Sequence, residues 1–289
     1  MQASTSELKL IGAGRLGRSL ARLWHNAGVL RMGDVMDTDP AATQGAINFI
    51  GAGTAAAAQR PSPITLIATH DDAIATAAAT LAASGVVRNG DIVFHCSGAL
   101  ASEVLKPLKA CGAHIASVHP MKSFATPASA VSHFSGTVCA QEGDEAALAV
   151  LGPLFDAIGG QRITIAKQHK LLYHAGAVMA CNQLVALMDG ALRCLLAAGV
   201  PSEAAWPALR PLIDGTLANI DRAGTRAALS GPIARGDLAT VKAECAATSA
   251  LDHDLGQAYV TLSALALHLT PAGHPIRRAD LIADPIAHG

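Results

Sequence analysis

The feature that most constrains the fold is an alternation of short apolar runs and helical runs through the first half of the chain. Residues 8–11 form a mostly apolar run of strand length, and residues 16–27 continue with the pattern of a helix that ends at Gly28. Strands separated by helices predict a parallel sheet with right-handed crossovers. The predicted strands are residues 8–11, 29–36, 64–68, 91–95, 114–118, 136–140 and 162–166, and the predicted helices between them are residues 16–27, 40–47, 72–83, 102–111 and 142–158.

The pattern changes after residue 166. Long helical runs follow, interrupted by glycines and prolines between residues 199 and 271, and no further strand is predicted. We therefore expect an α/β protein with two domains. Residues 1–166 are predicted to form a Rossmann-type, doubly wound, mostly parallel sheet, and residues 167–289 an all-α domain.

Three glycines lie at the turn between the first strand and the first helix. Gly12, Gly14 and Gly17 have the spacing G-x-G-x-x-G. In this context the first permits a tight turn, the second lets the backbone approach a pyrophosphate, and the third lets the helix pack on the strand. Arg15 could add a charge-assisted contact to phosphate. We predict a dinucleotide site that also includes Leu16, with a glycine turn that holds no ligand as the alternative.

The end of the second predicted strand bears on which dinucleotide would bind. Asp37 follows this strand, at a position where a carboxylate would accept hydrogen bonds from a ribose 2′-hydroxyl. Asp37 and Asp39 would also repel the 2′-phosphate of NADP. Both could instead be turn residues before Pro40. We expect NAD or NADP as the cofactor, with NAD favoured.

Polar or small residues follow three other predicted strands, at the edge of the sheet where ligands bind in this fold. They are Thr69 and His70, Ser97 and Gly98, and His119. We expect the first four to contact the cofactor, and Ser97 also to position the reacting group. His119 is the strongest candidate for moving a proton, because an imidazole exchanges protons near neutral pH. Each of these polar residues could alternatively be a cap or a turn residue.

Composition and charge narrow the classes of partner. The net charge is −1, and no dense stripe of Lys or Arg is present, which argues against nucleic acid and anionic membranes. The six cysteines are widely spaced, as expected for reduced thiols, so we expect a cytoplasmic protein. The twelve histidines lack the spacing of metal ligands, so no metal site is expected.

Residues 171–188 form a long segment without formal charge, which raises the question of a membrane span. The segment contains His174, Asn182 and Gln183, whose polar groups would be costly in lipid. We therefore predict that it is buried inside the protein or in a homodimer interface, and we expect no membrane partner.

Five motifs together resemble a known family. They are GAGRLGRSLARLW, CSGAL, HPMKSF, YHAGAVMACNQLVAL and LSGPIARGD. The chain is similar to a bacterial family of Rossmann-type NAD(P) oxidoreductases with a helical C-terminal domain of uncharacterised function. Wider relatives are the 3-hydroxyisobutyrate and 6-phosphogluconate dehydrogenases, pyrroline-5-carboxylate reductase, prephenate dehydrogenase and deazaflavin-dependent NADP reductase. The resemblance implies an NAD(P)-binding domain, a helical domain that completes the site, and a homodimer, but no particular substrate.

The resemblance also implies roles for individual residues. Prephenate dehydrogenases have a His-Pro-Met-like motif whose His contacts the reacting group, which implies this role for His119. Hydroxyacid dehydrogenases use the Lys of Gly-x-x-x-Lys-x-x-x-Asn as acid/base. Lys170 keeps that spacing here, although Ala166 replaces the Gly and His174 replaces the Asn. Lys170, His174 and Asn182 share a helical face, which either lines a cleft or forms a buried polar seam.

Arg235 completes the set of candidate site residues. It could clamp a substrate carboxylate bidentately, from the same chain or from a partner subunit, or it could pair with Asp237. We expect an oxidoreductase that moves hydride to or from a small carbonyl, hydroxy-acid or imine substrate, with His119 or the Lys170/His174 helix handling the proton. The alternatives are a dinucleotide-binding sensor that does not turn over, and a deazaflavin-linked NADP reductase.

Overall fold

The computed structural model describes residues 6–281. Contacts between residues divide the chain into two compact units, residues 1–180 and residues 181–289. This division comes after the helix Lys170–Val178, which the sequence assigned to the second domain. The helix belongs to the first unit because Lys170 is buried against strands of the sheet. The domain boundary near residue 166 stays a prediction.

The first unit is built on one eight-stranded sheet. The strands are β1 (Glu7–Ile11), β2 (Arg31–Met36), β3 (Thr54–Ala55), β4 (Ile64–Ile67), β5 (Ile92–His95), β6 (His114–Pro120), β7 (Val138–Gly143) and β8 (Gln161–Thr164). The helices are α1 (Arg15–Asn26), α2 (Pro40–Ile50), α3 (Asp71–Ala83), α4 (Lys106–Ala110), α5 (Pro127–Ser132), α6 (Glu145–Ala157) and α7 (Lys170–Val178).

The strand order is β3-β2-β1-β4-β5-β6-β7-β8. Every neighbouring pair is parallel except β6 and β7, which run antiparallel. The chain winds outward from β1 in both directions, so the carboxyl ends of β1 and β4 meet at the point where the winding reverses. The prediction of a Rossmann-type, mostly parallel sheet is confirmed.

Several predicted boundaries are wrong. The strand β3 and the helix α5 were not predicted, since one is two residues long and the other lies in a loop rich in Pro and Ser. The helix predicted over residues 142–158 begins at Glu145 instead. Glu142 is part of β7, opposite Ser117 of β6, because its carboxylate is paired inside the protein. The helix predicted over residues 102–111 is a 3₁₀ turn followed by α4.

Apolar side chains cover both faces of the sheet. On one face, Trp24 of α1 packs edge-on against Phe94 and Phe155, with ring centroids 6.2 and 5.2 Å away. The indole N–H donates to the carbonyl of Leu154 at 2.9 Å, so the buried polar group of Trp24 is satisfied. The opposite face packs against α3 and α4 through an aliphatic cluster that includes Ile11, Ile67, Ile74, Leu81, Val93 and Ile115.

The second unit contains helices and no strand in the part that the structure describes, residues 181–281, which confirms the all-α prediction. Its helices are α8 (Leu184–Ala197), α9 (Ser202–Ala228), α10 (Gly231–Arg235), α11 (Leu238–Leu251), α12 (His253–Leu267) and α13 (Arg278–Leu281). Helix α9 is interrupted at Gly224, where φ is 76°. A small core forms around Ile233, Val241 and Cys245.

The stretch Lys167–Ala197 is long and apolar enough to cross a membrane by length and composition alone, and 18 consecutive residues within it have a mean hydropathy of 1.4. Its large apolar side chains are exposed rather than packed against the chain's own core. Leu171, Leu172 and Val185 are 69%, 74% and 68% exposed. The prediction for residues 171–188 was burial inside the protein or in a homodimer interface; these side chains are exposed in the single chain, and burial against a second copy is taken up below.

Candidate active site

The glycine turn after β1 has the geometry that its spacing predicts. Gly12 has φ 96°, and a Cβ on it would lie 2.6 Å from the backbone of Ala68 and Thr69, so only glycine fits there. The Gly12 N–H donates to the carbonyl of Met36 at 2.8 Å, which ties the turn to β2. A Cβ on Gly17 would lie 2.7 Å from the Gly12 carbonyl oxygen, so glycine is also required where α1 packs on the turn.

A cleft of about 1190 Å³ opens beside this turn. Gly14, whose added Cβ would meet no atom closer than 3.9 Å, leaves the backbone accessible from the cleft. Of the ten residues predicted to bind the cofactor, seven line the cleft: Gly12, Gly14, Arg15, Leu16, Asp37, Thr69 and His70. The lining that the sequence did not predict includes Thr38, Gln59, Phe124 and four residues of α3, namely Ala73, Thr76, Ala77 and Thr80.

Asp37 is held at the end of β2 by two backbone amides. Its carboxylate accepts from the N–H of Ala13 at 2.7 Å and from the N–H of Asp39 at 3.0 Å. Since a carboxylate has further lone pairs, Asp37 can still accept hydrogen bonds from the cleft. Asp39 instead caps α2, where its side chain accepts from the N–H of Ala41 at 2.8 Å. The turn-residue alternative therefore describes part of both roles, since Asp37 closes a turn with the N–H of Asp39 and Asp39 caps α2.

Ser97 forms a local turn that uses its whole hydroxyl. The Oγ donates to Asp71 at 2.7 Å and accepts from the N–H groups of Ala99 and Leu100 at 3.1 and 2.9 Å. A hydroxyl has one proton and two lone pairs, so a role in positioning a substrate would require one of these bonds to break. Neither Ser97 nor Gly98 lies in the lining of the cleft.

His119, at the end of β6, forms a pair with Tyr173 of α7. The His119 Nδ1 lies 2.9 Å from the Tyr173 Oη. The imidazole of His174 stands perpendicular to that of His119, with ring centroids 5.8 Å apart. Gly98 faces both rings: a Cβ there would lie 2.9 Å from His119 Nε2 and would collide with His174. The absence of a side chain at Gly98 therefore allows the two imidazoles to approach this loop.

The surroundings of His119 set its protonation. Burial and the nearby positive charge of Lys170 lower the pKa of His119 to about 4. Burial raises the pKa of Tyr173 to about 12. Both groups are therefore neutral at pH 7, which differs from the expectation of an imidazole that titrates near neutrality. The pair can accept or pass on a single proton, and His119 Nε2 is the ring nitrogen not bonded to Tyr173.

Lys170 lies inside the protein rather than in the cleft. Its side chain is 1% exposed; its Nζ donates to the Oγ of Ser117 and lies 3.7 Å from the carboxylate of Glu142. That carboxylate also accepts from the N–H and the Oγ of Ser102, each at 2.7 Å. Burial lowers the pKa of Lys170. Because protein groups enclose the ammonium, in this arrangement it would act on a substrate only through another residue.

His95 joins the same buried cluster and was not predicted. Its Nδ1 accepts from the N–H of Ser97 at 3.1 Å, and its Nε2 lies 3.3 Å from the carbonyl of Ala101. Burial and the charge of Lys170 lower the pKa of His95 to about 3, so the ring is neutral with its proton on Nε2. Strand periodicity could have indicated part of this cluster, since Ser117 and His119 of β6 share one face.

Two predicted site residues lie in the second unit. Asn182 is an exposed residue of the π-helical segment Met179–Gln183. Arg235 is the exposed last residue of α10. Asp237, its predicted alternative partner, instead caps α11, where its carboxylate accepts from the N–H and Oγ1 of Thr240 at 3.1 and 2.7 Å. The roles of Asn182 and Arg235 stay predictions.

Family models match two separate parts of the chain, and solved structures align over nearly all of it. The model of a Rossmann-like domain matches residues 1–120, and the model of a domain of unknown function, DUF2520, matches residues 137–266. No curated protein sequence matches the chain. The solved structure of protein TM1727 from Thermotoga maritima is 26% identical, has a TM-score of 0.72, and aligns over 91% of this chain and 97% of that one.

Two reductases have the same fold at lower identity. A reductive aminase from Aspergillus terreus is 17% identical with a TM-score of 0.66, over 96% of this chain and 99% of that one. An imine reductase variant from Myxococcus stipitatus is 16% identical with a TM-score of 0.66, over 96% of this chain and 97% of that one. At such identities the similarity establishes the fold alone. Successive parts of the chain are thus similar to a Rossmann-like domain and to DUF2520.

Proposed function

We propose that the protein is an NAD(P)-dependent oxidoreductase that moves hydride to or from a small carbonyl, hydroxy-acid or imine substrate. The observation that carries the proposal is the cleft at the glycine turn, with the open backbone of Gly14 at one point and the anchored carboxylate of Asp37 at another. Two proteins of the same fold support it, since an Aspergillus terreus reductive aminase was solved with NADPH and the Myxococcus stipitatus imine reductase variant with NAD⁺.

The residues of the cleft fit a dinucleotide by their chemistry. The N–H groups of the first turn of α1, together with Arg15, would bind the pyrophosphate. Asp37 would accept from a ribose hydroxyl. The bound dinucleotide supplies the hydride donor or acceptor, and the protein supplies binding and orientation.

The accompanying proton is assigned to His119. The Tyr173 Oη hydrogen-bonds to Nδ1 and orients the ring, so Nε2 is the nitrogen that would exchange a proton with the substrate. In the oxidative direction the neutral imidazole accepts the proton that the substrate hydroxyl or amine releases. In the reductive direction the ring first takes up a proton from solvent to become the imidazolium, and its Nε2–H then passes that proton to the product oxygen or nitrogen.

The affinities for NADH and NADPH test the cofactor assignment. We expect calorimetry to show NADH binding more tightly by about tenfold, because the Asp37 carboxylate would oppose the 2′-phosphate. Asp37→Asn should narrow the difference. Equal or reversed affinities would reject the preference for NAD, and binding of neither dinucleotide would reject the proposed function.

Turnover is tested by a screen. Small acids, imines and carbonyl compounds are incubated with each dinucleotide in its oxidised or reduced form, and the absorbance of the reduced nicotinamide is followed. Turnover of one compound class would identify the substrate. Tight dinucleotide binding without turnover of any class would favour a sensor instead.

We also propose a homodimer that covers the exposed side chains of residues 171–188. Large exposed apolar surfaces mark interfaces, and self-association of soluble chains is most often two-fold symmetric. Light scattering at micromolar concentration should give twice the mass of one chain, and Leu172→Lys should shift the protein toward the monomer. A wild-type monomer would contradict the proposal, and binding to phospholipid vesicles would assign this surface to a membrane.

A further inference from the structure

A buried lysine in the central strand of the sheet holds a neighbouring segment of chain. Lys9 of β1 is 1% exposed, although long charged side chains are rarely buried completely. Its Nζ donates to the Oε1 of Gln59 at 3.3 Å and to the backbone carbonyl of Arg60. Both partners belong to the irregular segment 56–63, which connects β3 to β4.

The next strand holds the same segment through a second buried charge. Asp34 of β2, 6% exposed, accepts from the Nε of Arg60 at 2.9 Å, and its other carboxylate oxygen accepts from a terminal nitrogen of that guanidinium. Buried charges are costly unless they are paired and hydrogen-bonded. The bonds of Lys9 and Asp34 meet that requirement, and they fix residues 59 and 60 over β1 and β2.

The bond from Lys9 also determines which way the Gln59 amide faces. An ammonium group can only donate hydrogen bonds, so the amide must present its oxygen to Lys9. The NH₂ group of Gln59 is then directed away from Lys9. Gln59 is one of the residues that line the cleft beside the glycine turn, and an amide whose oxygen is bonded to Lys9 has its NH₂ group to offer to a molecule there.

The part of the cleft that Gln59 lines is suited to the adenosine half of a dinucleotide. The pyrophosphate would lie over Gly14 and the adenosine ribose at Asp37. The nicotinamide half would then extend toward the carboxyl ends of the central strands. The adenosine half would lie beside Gln59 and α3, where the small apolar side chains of Ala73 and Ala77 could pack against the flat base. The ring nitrogens of adenine accept hydrogen bonds, and so do the oxygens of the ribose attached to it.

We propose that Gln59 donates a hydrogen bond to the adenosine half of the dinucleotide and that Lys9 is the positioning residue that turns its amide toward the cleft. This inference rests on the proposed function, because it assumes a dinucleotide in the cleft. It adds a contact to the adenosine half that neither the glycine motif nor Asp37 provides. It also assigns the buried charge of Lys9 a role in binding the dinucleotide.

The test compares NADH with reduced nicotinamide mononucleotide, which lacks the adenosine half. Gln59→Met keeps a side chain of similar length and removes the donor, so the Kd for NADH should rise by about tenfold, while the Kd for the mononucleotide stays unchanged. Gln44→Met is the matched control, because Gln44 is exposed on α2 and its amide bonds to Asn48. This control should leave both affinities unchanged.

Lys9→Met separates positioning from a general structural effect. We expect it to weaken NADH binding by a similar factor, and the double variant Lys9→Met/Gln59→Met to be no weaker than Gln59→Met alone, because both changes remove the same contact. An unchanged Kd for NADH in Gln59→Met, or equal losses for both ligands, would overturn the proposal. If the wild-type protein binds neither ligand, the proposed function itself fails.

Discussion

Replacing His119 with alanine should lower kcat by about 10²- to 10⁴-fold and leave the affinity for the dinucleotide nearly unchanged. The imidazole ends β6 with one nitrogen on Tyr173 and the other beside Gly98, outside the lining of the cleft. The substitution therefore removes a proton carrier without removing a contact to the cofactor. Steady-state kinetics with calorimetry on the same preparation measures both quantities.

Tyr173→Phe is the matched control for that result. It keeps the edge-on packing of the aromatic ring against His119, with centroids 5.7 Å apart, and removes only the hydroxyl that orients the imidazole. We expect a loss of kcat of about tenfold, smaller than that of His119→Ala. Full activity in His119→Ala would show that another group carries the proton.

The pH dependence follows from the same environment. Because the pKa of His119 is lowered to about 4, the neutral base form persists from neutral pH down to that value and is lost below it. The rate of substrate oxidation should therefore stay level as the pH falls from 7 and decline only when it approaches 4. In an enzyme that used an exposed histidine, the decline would begin near pH 6.5.

The glycine turn was predictable because its constraint is local. Spacing alone identified Gly12 and Gly17 as positions that tolerate no side chain, and the alternation of strands and helices located the turn at the edge of a parallel sheet. Asp37 followed from its distance along the chain. These predictions required only the backbone path of one strand, one turn and one helix.

Residues whose roles depend on partners far along the chain could not be found in this way. Tyr173 reaches His119 across 54 positions, and Lys9 reaches Gln59 across 50. Glu142 was assigned to a helix because local propensity contains no information about its distant partner. That partner, Lys170, is buried beside it in the folded protein. A turn role for Ser97 was open from the sequence, but its hydrogen bond to Asp71, 26 positions away, could not be found from spacing.

Replacing Lys170 with methionine should destabilise the fold by about 3–5 kcal/mol, because the substitution leaves the buried carboxylate of Glu142 without its cation. Glu142 is only 4% exposed, and the two hydrogen bonds from Ser102 cannot neutralise its charge. Glu142→Gln should be similarly destabilising, since the ammonium is then unpaired. Urea denaturation followed by circular dichroism measures these differences.

The double variant Lys170→Met/Glu142→Gln tests whether the ion pair stabilises the fold only or also contributes to catalysis. Removing both charges leaves no uncompensated ion, so its stability should lie above that of either single variant. If the pair serves structure alone, this variant should retain dinucleotide binding and most of its turnover. A loss of turnover of about 10²-fold or more in a stable double variant would instead show that the α7 lysine contributes to catalysis through another residue. Stabilities that simply add would show that the two charges do not interact, contrary to the 3.7 Å separation of Nζ and Oε1.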